Sequence, residues 1–431
     1  MASQYPGEEL ERGPKKERLD EISPDKPLLV YSFDGHGAWL NSKAFEYLGI
    51  TPDTPSTPGG AIYLNDDGSL WGTLADSAMS LTSTYPMNQE NVADGLAAFL
   101  QGLNALGYTS IFSPPGNGFF PVPYEGYQAL ADRDELTMRV RGAGIVTSWQ
   151  TDEDLAKLEE LKKKYDSDAL RVIAGKIFAD GVMDNESALL SEPYADDPSS
   201  YGETGWEQEP LNQAVAAINR AGLLAHIHAI GDGAVRNTLN AFENAIKENG
   251  ERADRRYTMT HVCAVADEDI KRIADLGVIS ALQFLWMYRD PLCELEIAYI
   301  GEERAMAMYP VKNMLEAGCI VSGASDGPVT PFAPLEEIEV AVTRNSPYPG
   351  EEDTDMHRWP EQAITPYQAL EAYTKNVAFE NFMEDLVGTI EVGKKADLAV
   401  LDQNILTCDP KKISDSTVRY TISDGRIVHE G

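Results

Sequence analysis

Leu223–Val235, LLAHIHAIGDGAV, is the stretch from which the fold can be read. An apolar run leads to His226 and His228, and the chain then turns at Gly231-Asp232-Gly233. Side chains alternate between the two faces of a strand, so two histidines spaced by two point the same way. They leave the end of a strand just before its loop, and the helix-forming segment Ala234–Lys247 follows. Strand, turn and helix in this order form a βα unit. In α/β proteins the C-terminal strand end is where chemistry gathers.

The same rhythm repeats on both sides. Further strands are expected at Tyr108–Phe112, Leu136–Arg141, Leu170–Phe178, Tyr257–Thr260, Val278–Phe284 and Cys319–Ala324, with Gly144–Gln150 extending or following the second. Amphipathic helices are expected between them at Tyr124–Asp132, Thr151–Lys164, Pro210–Ala221, Asp267–Leu276 and Ala305–Ala317. Repeated βα units imply a parallel sheet, either doubly wound or closed as a barrel. A doubly wound sheet concentrates its site at one switch point, whereas a barrel collects residues from many strands. Here the last five strands each carry polar residues at their C-terminal ends, which favours the barrel.

Before this region, Lys26–Phe33 reads as a strand running into a loop with His36, and Asn41–Leu48 as a short helix ending at Gly49. A hairpin is expected over Ala61–Leu70 around Asp66-Asp67-Gly68, then helices at Leu74–Leu81 and Asn91–Leu106. The first 21 residues lack apolar periodicity and read as a loop or loosely held arm. Leu335–Thr343 and Thr365–Thr374 read as helices. From Val387 the chain has only short strands, at Leu398–Leu401, Val418–Ile422 and Arg426–His429. The expected domains are therefore 1–387, the α/β barrel, and 388–431, a small β-rich appendage.

Composition excludes some partners. The 431 residues include 35 basic and 70 acidic side chains, a formal net charge of −35. Nucleic acid is recognised through basic surfaces that displace counterions, so none is expected as a partner, nor is an anionic membrane. No run approaches the ~20 apolar residues of a membrane span, and the N-terminus has no apolar core of a secretory signal. The four cysteines, Cys263, Cys293, Cys319 and Cys408, are far apart and form no CxxC pair. A reduced, cytoplasmic chain is the simplest expectation.

Four strand ends supply a chemically coherent set: Lys176 in GKIFADG, His228 in HAIGD, His261 in MTHV and Asp326 in ASDGPV. Imidazole nitrogen and carboxylate oxygen suit zinc and similar divalent ions, with manganese or iron as alternatives. A lysine ammonium is no ligand, but its carbamate is an anionic oxygen donor. Carboxylation requires a depressed lysine pKa, which burial beside a cation supplies. Asp326 would accept a proton from a metal-activated water. Each residue also has a plain structural reading. A histidine at a strand end can be a hydrogen-bonded core residue, Lys176 can pair with Asp180, and Asp326 can form a Ser-Asp-Gly turn. His226 has the phase to touch substrate or to bond a neighbour. His36 can serve substrate or its own loop, and Trp286 can line a pocket or pack.

In order along the chain, DGHGAWLNSKAFEYLGI, KIFADG, EPYADDP, HIHAIGD, THV, QFLW, GASDGPV and VGTIEVGKKADLAVLD resemble the amidohydrolase superfamily, and within it the YtcJ-like branch that includes N-substituted formamide deformylases. The resemblance covers nearly the whole chain. It implies a (β/α)8 TIM-type barrel with a metal centre at the C-terminal strand ends, and a small β-sandwich to which Gly393–Asp402 belongs. It implies Lys176 as a carboxylated ligand, His228 and His261 as ligands, and Asp326 as ligand and proton shuttle. The implied reaction is hydrolysis of an amide or formamide C–N bond by metal-activated hydroxide. His36, His226 and Trp286 are the candidate substrate contacts, and the expected partners are a small amide and a second copy of the chain.

One departure stands out. The family's first barrel strand ends in His-x-His, and the only such pair here is His226–His228, on the fifth strand. The expectation is therefore a barrel lacking its first strand and a partial sandwich, with Leu28–Phe33 near the gap or another chain filling it. Three ligands, Lys176, His228 and His261, would remain around one metal. The alternative from a different class is a truncated or degenerate barrel that binds metal or a partner chain without turnover. A mononuclear deaminase of the same superfamily is a third reading, with poorer support among the motifs.

Overall fold

The computed structural model describes residues 12–32, 37–56, 60–82, 89–115, 122–183, 186–252, 254–348, 350 and 356–431. The chain falls into two compact units. The first runs to residue 92 and takes in 116–121; the second holds 93–115 and 122–431.

The first unit carries a four-stranded antiparallel sheet of β1 (Leu29–Tyr31), β2 (Gly37–Leu40), β3 (Gly60–Leu64) and β4 (Leu70–Asp76), ordered β1-β2-β4-β3. β3 and β4 form the hairpin expected around Asp66-Asp67-Gly68. The helix Ser42–Leu48 starts on Asn41, whose side chain accepts from the Ala44 amide, and stops at Gly49 in the left-handed conformation. Leu74 was expected to open a helix but lies in β4, paired to both β2 and β3, and only Ser77–Thr82 is helical, as a 3-10 turn. Cross-strand pairing outweighs the local helix preference there. The expected N-terminal arm contains a helix, Glu17–Ile22, which buries Leu19. Asp20 fastens it by accepting from the amide and hydroxyl of Ser42. β1, expected beside a missing barrel strand, pairs with β2 and contributes nothing to the parallel sheet.

The second unit is built on a seven-stranded parallel sheet. Its strands are β5 (Ser110–Ser113), β6 (Arg139–Ile145), β7 (Leu170–Phe178), β8 (Leu224–Ala229), β9 (Thr258–His261), β10 (Ile279–Leu282) and β11 (Ile320–Gly323), hydrogen-bonded in sequence order. Each strand is followed by at least one helix, the βα order of a TIM-type barrel. The helices bury one stripe each against the sheet. Asp232–Asn249 buries Val235, Leu239 and Phe242, and Gln208–Arg220 buries Leu211, Val215 and Ile218, spacings of three and four residues. Each such side chain contributes about 1.5–3 kcal/mol by leaving water. The helix expected over Ala305–Ala317 is split into Glu302–Met306 and Val311–Glu316, because Pro310 cannot continue a helix.

The last strands, β12 (Leu398–Leu401), β13 (Val418–Ser423) and β14 (Arg426–Glu430), form a three-stranded antiparallel sheet within the same unit. Buried Arg139, at the start of β6, pairs with Asp397, and the Thr421 hydroxyl donates to the Asn104 carbonyl. All four cysteines are free. Among the described residues no helix is long and apolar enough to cross a membrane.

Candidate metal centre

Strand register brings the candidate residues together. Lys176 on β7 lies opposite His226 on β8, Phe178 opposite His228, and Ala229 opposite His261 on β9. β7, β8 and β9 all end within two residues of a candidate. Asp326 sits three residues beyond the end of β11, with φ 55°.

His228 and His261 touch edge to face, with ring centroids 4.5 Å apart, and both are buried. Their partners fix which nitrogen carries hydrogen. His228 Nε2 lies 2.9 Å from the Gly181 carbonyl, which can only accept, so Nε2 donates and Nδ1 keeps its lone pair. His261 Nδ1 lies 2.8 Å from Gln283 Oε1, which leaves the lone pair on Nε2. Burial, reinforced by the nearby Lys176 charge, holds His228 neutral down to about 3. Burial, then His228 and Lys176, depress His261 well below the usual imidazole range. Two neutral imidazoles in contact, each with one hydrogen tied to an acceptor, are what a divalent ion requires of histidine.

The backbone is strained where this happens. His261 and Val262 both have positive φ, 79° and 43°. Such conformations cost of order 1–3 kcal/mol each and persist only where surrounding contacts over-determine them. On its other side the His261 ring is covered by Trp286, stacked at 5.2 Å with planes 2° apart.

Lys176 is buried, with Nζ 4.6 Å from the Phe178 ring centroid. Burial pushes its ammonium down, while Asp326 pulls it back up. The Asp326 side chain is reached by water, yet crowding by protein raises its carboxyl against the pull of Lys176. Among the described residues no three His, Cys, Asp or Glu side chains converge closely enough to hold an ion by themselves. The two imidazoles therefore supply two donors for a divalent ion, and a third would have to come from another group.

The remaining candidates divide. Trp286 is at the centre. His226 is buried, its ring 4.9 Å from that of Phe112 and its Nε2 3.9 Å from Glu380 Oε1. Its Nδ1 has no hydrogen-bond partner among the described residues. His36 lies outside the described residues.

The alternative pairing of Lys176 with Asp180 is not what the structure shows. Asp180 accepts from the amides of Leu189, Ile230 and Gly231, at 3.0, 3.0 and 2.8 Å. It pins together the loops after β7 and β8 and sits 3.6 Å from His228 Nε2. Burial drives its carboxyl up to about 7 against those three amides. Gly231 is required beside it, since a Cβ there would meet the Leu189 carbonyl oxygen at 1.9 Å. The sequence offered Asp180 only as a partner of Lys176, held Gln283 in the QFLW motif without a role, and gave no sign of Glu380. Gln283, one residue past β10, shares the strand-end position of the other candidates, which is the signal that could have found it.

The sequence profile of the Amidohydrolase family matches residues 9–429. The chain is 30% identical to the putative amidohydrolase YtcJ of Bacillus subtilis, over 96% of this chain and 76% of that protein. It is 25% identical to the N-substituted formamide deformylase of Arthrobacter pascens, over 97% of this chain and 76% of that enzyme. Among solved structures it is similar to an uncharacterized metal-dependent hydrolase from Pyrococcus horikoshii, with a TM-score of 0.74 and 26% identity, over 94% of this chain and 77% of that one.

Proposed function

Because this chain belongs to the amidohydrolase family, we propose that it hydrolyses the C–N bond of small amides, N-substituted formamides foremost. The observation that carries the reading is the His228–His261 pair, neutral, in contact, and tied at opposite nitrogens. The substrate class follows the name of the deformylase relative. His228 Nδ1, His261 Nε2 and carboxylated Lys176 would hold one divalent ion, zinc by preference and manganese or iron as alternatives. Such an ion supplies Lewis acidity, bringing water's pKa toward about 7.

The chain's own residues do the rest. Asp326, its carboxyl raised by crowding, takes a proton from the attacking water and gives it to the leaving nitrogen. Trp286 offers an apolar wall beside His261, and His226 is the remaining substrate contact. The fold that goes with this reading is a TIM-type barrel to which β5–β11 contribute seven parallel strands, with 388–431 as part of a β-sandwich. A cytoplasmic enzyme acting on small molecules, alone or as a homo-oligomer, completes it.

The test is a panel of N-substituted formamides and N-acyl amino acids, assayed after loading with each metal. Turnover is expected, and D326N should lose at least ~10²-fold in kcat while keeping its metal. Unchanged turnover in D326N would overturn the assignment of Asp326. The second reading, a barrel that binds metal or a partner chain without turnover, draws on the absence of three converging His, Cys, Asp or Glu side chains among the described residues. Bound metal with no product across the panel would favour it.

A further inference from the structure

We propose that Gln283 is a positioning residue, which sets the tautomer and aim of His261 through a hydrogen-bond relay running from β10 back to β9. The relay has a defined polarity. The Thr260 hydroxyl donates to the Ala281 carbonyl at 3.2 Å, across the strand pairing that places these two residues opposite each other. Its oxygen is then free to accept, and Gln283 Nε2 lies 3.4 Å away. With the amide nitrogen committed to Thr260, Oε1 faces His261 Nδ1 at 2.8 Å. Carbonyl, hydroxyl, amide and imidazole thus form one directed chain, and its last acceptor forces hydrogen onto Nδ1. The reverse orientation of the amide would point a donor at His261 and draw the Thr260 hydroxyl away from Ala281.

Water cannot substitute for these partners. Gln283 is 1% exposed, His261 3% and Thr260 4%. Each group must be satisfied by the protein, so one substitution disturbs the whole chain. The Gln283 carbonyl also accepts from the Trp286 amide at 3.1 Å, opening the 3-10 turn that lays the indole on the His261 ring. One residue thereby holds the imidazole in its plane and starts the turn that covers its face. The left-handed backbone at His261 is consistent with a ring aimed by such external contacts.

The metal consequence rests on the reading of His261 as a ligand; the tautomer does not. The experiment therefore begins with metal-free protein labelled with 15N-histidine, where two-bond 1H–15N correlations report the tautomer of each ring. H261N identifies the resonances of His261. Wild type is expected to show hydrogen on Nδ1 of His261, Q283L a mixture or the opposite tautomer, and Q283E, which keeps the acceptor, the wild-type pattern. Zinc affinity, by chelator competition, should fall ~10–100-fold in Q283L and recover in Q283E. If Q283L does not fold, T260V breaks the relay one step earlier without changing side-chain volume and should also mix the tautomers. An unchanged His261 tautomer in Q283L, or in T260V where that variant stands in, overturns the proposal. A shifted tautomer in a protein that binds no zinc upholds the relay and overturns the metal reading instead.

Discussion

His226 and His228 share a strand and a face, yet their surroundings separate them. His228 donates to a carbonyl and meets His261 edge to face, whereas His226 faces Glu380 across 3.9 Å. Glu380 is buried, takes the Ser322 hydroxyl at 2.6 Å, and is pushed by burial from 4.5 up to about 7. An acid whose folded pKa is raised gives stability that is complete below its unfolded pKa and lost as pH rises through the folded value. Glu380 should therefore cost the protein about 3 kcal/mol between pH 4.5 and pH above 7. E380Q removes that titration and keeps the acceptor for Ser322. Urea unfolding at pH 5 and pH 8 should show E380Q gaining on wild type at the higher pH; parallel losses in the two proteins would contradict it. None of this is visible in the sequence, where Glu380 is one of 70 acidic residues. Its role comes from a helical segment, 366–380, that contains a π turn at Ala372–Asn376 and brings Glu380 to His226 and Ser322.

At the scale of elements, the seven parallel strands were legible because each couples an apolar run to a turn and an amphipathic helix. The β3–β4 hairpin and the three tail strands were legible from their turns, but a residue whose pairing overrides its local pattern was not. Leu74 joins β4 because β2 and β3 pair with it on both sides, and no local pattern announces that. The GKKADLAVLD stretch was legible as a motif, while its physical work was not. Asp397 lies buried against Arg139 on β6 and also accepts from the Asp424 amide at 2.9 Å. Removing one partner of a buried pair strands the other charge, at a cost of about 3–5 kcal/mol. Asp424, 3.6 Å from Arg139, offsets part of that loss. D397A should lower unfolding stability by about 2–4 kcal/mol and speed hydrogen exchange in β12–β14. Wild-type stability in D397A would mean that the tail is held by its apolar contacts instead.

For the molecule as a whole, the parallel sheet gathers Lys176, His228 and His261 from three successive strands, with Asp326 following a fourth. Residue types at strand ends, taken in the order of the family's motifs, singled out these four as candidates. The supporting groups, Gln283, Asp180 and the Gly181 carbonyl, come from loops whose partners are set only when strands are side by side. The central claim is that this constellation holds one divalent ion. Elemental analysis of purified protein, reconstituted with zinc and dialysed, tests it most directly when run beside H226A, H228A and H261A. The account predicts one zinc per chain in wild type and H226A, and its loss in H228A and H261A. No zinc in wild type, or equal zinc in all four proteins, would contradict it.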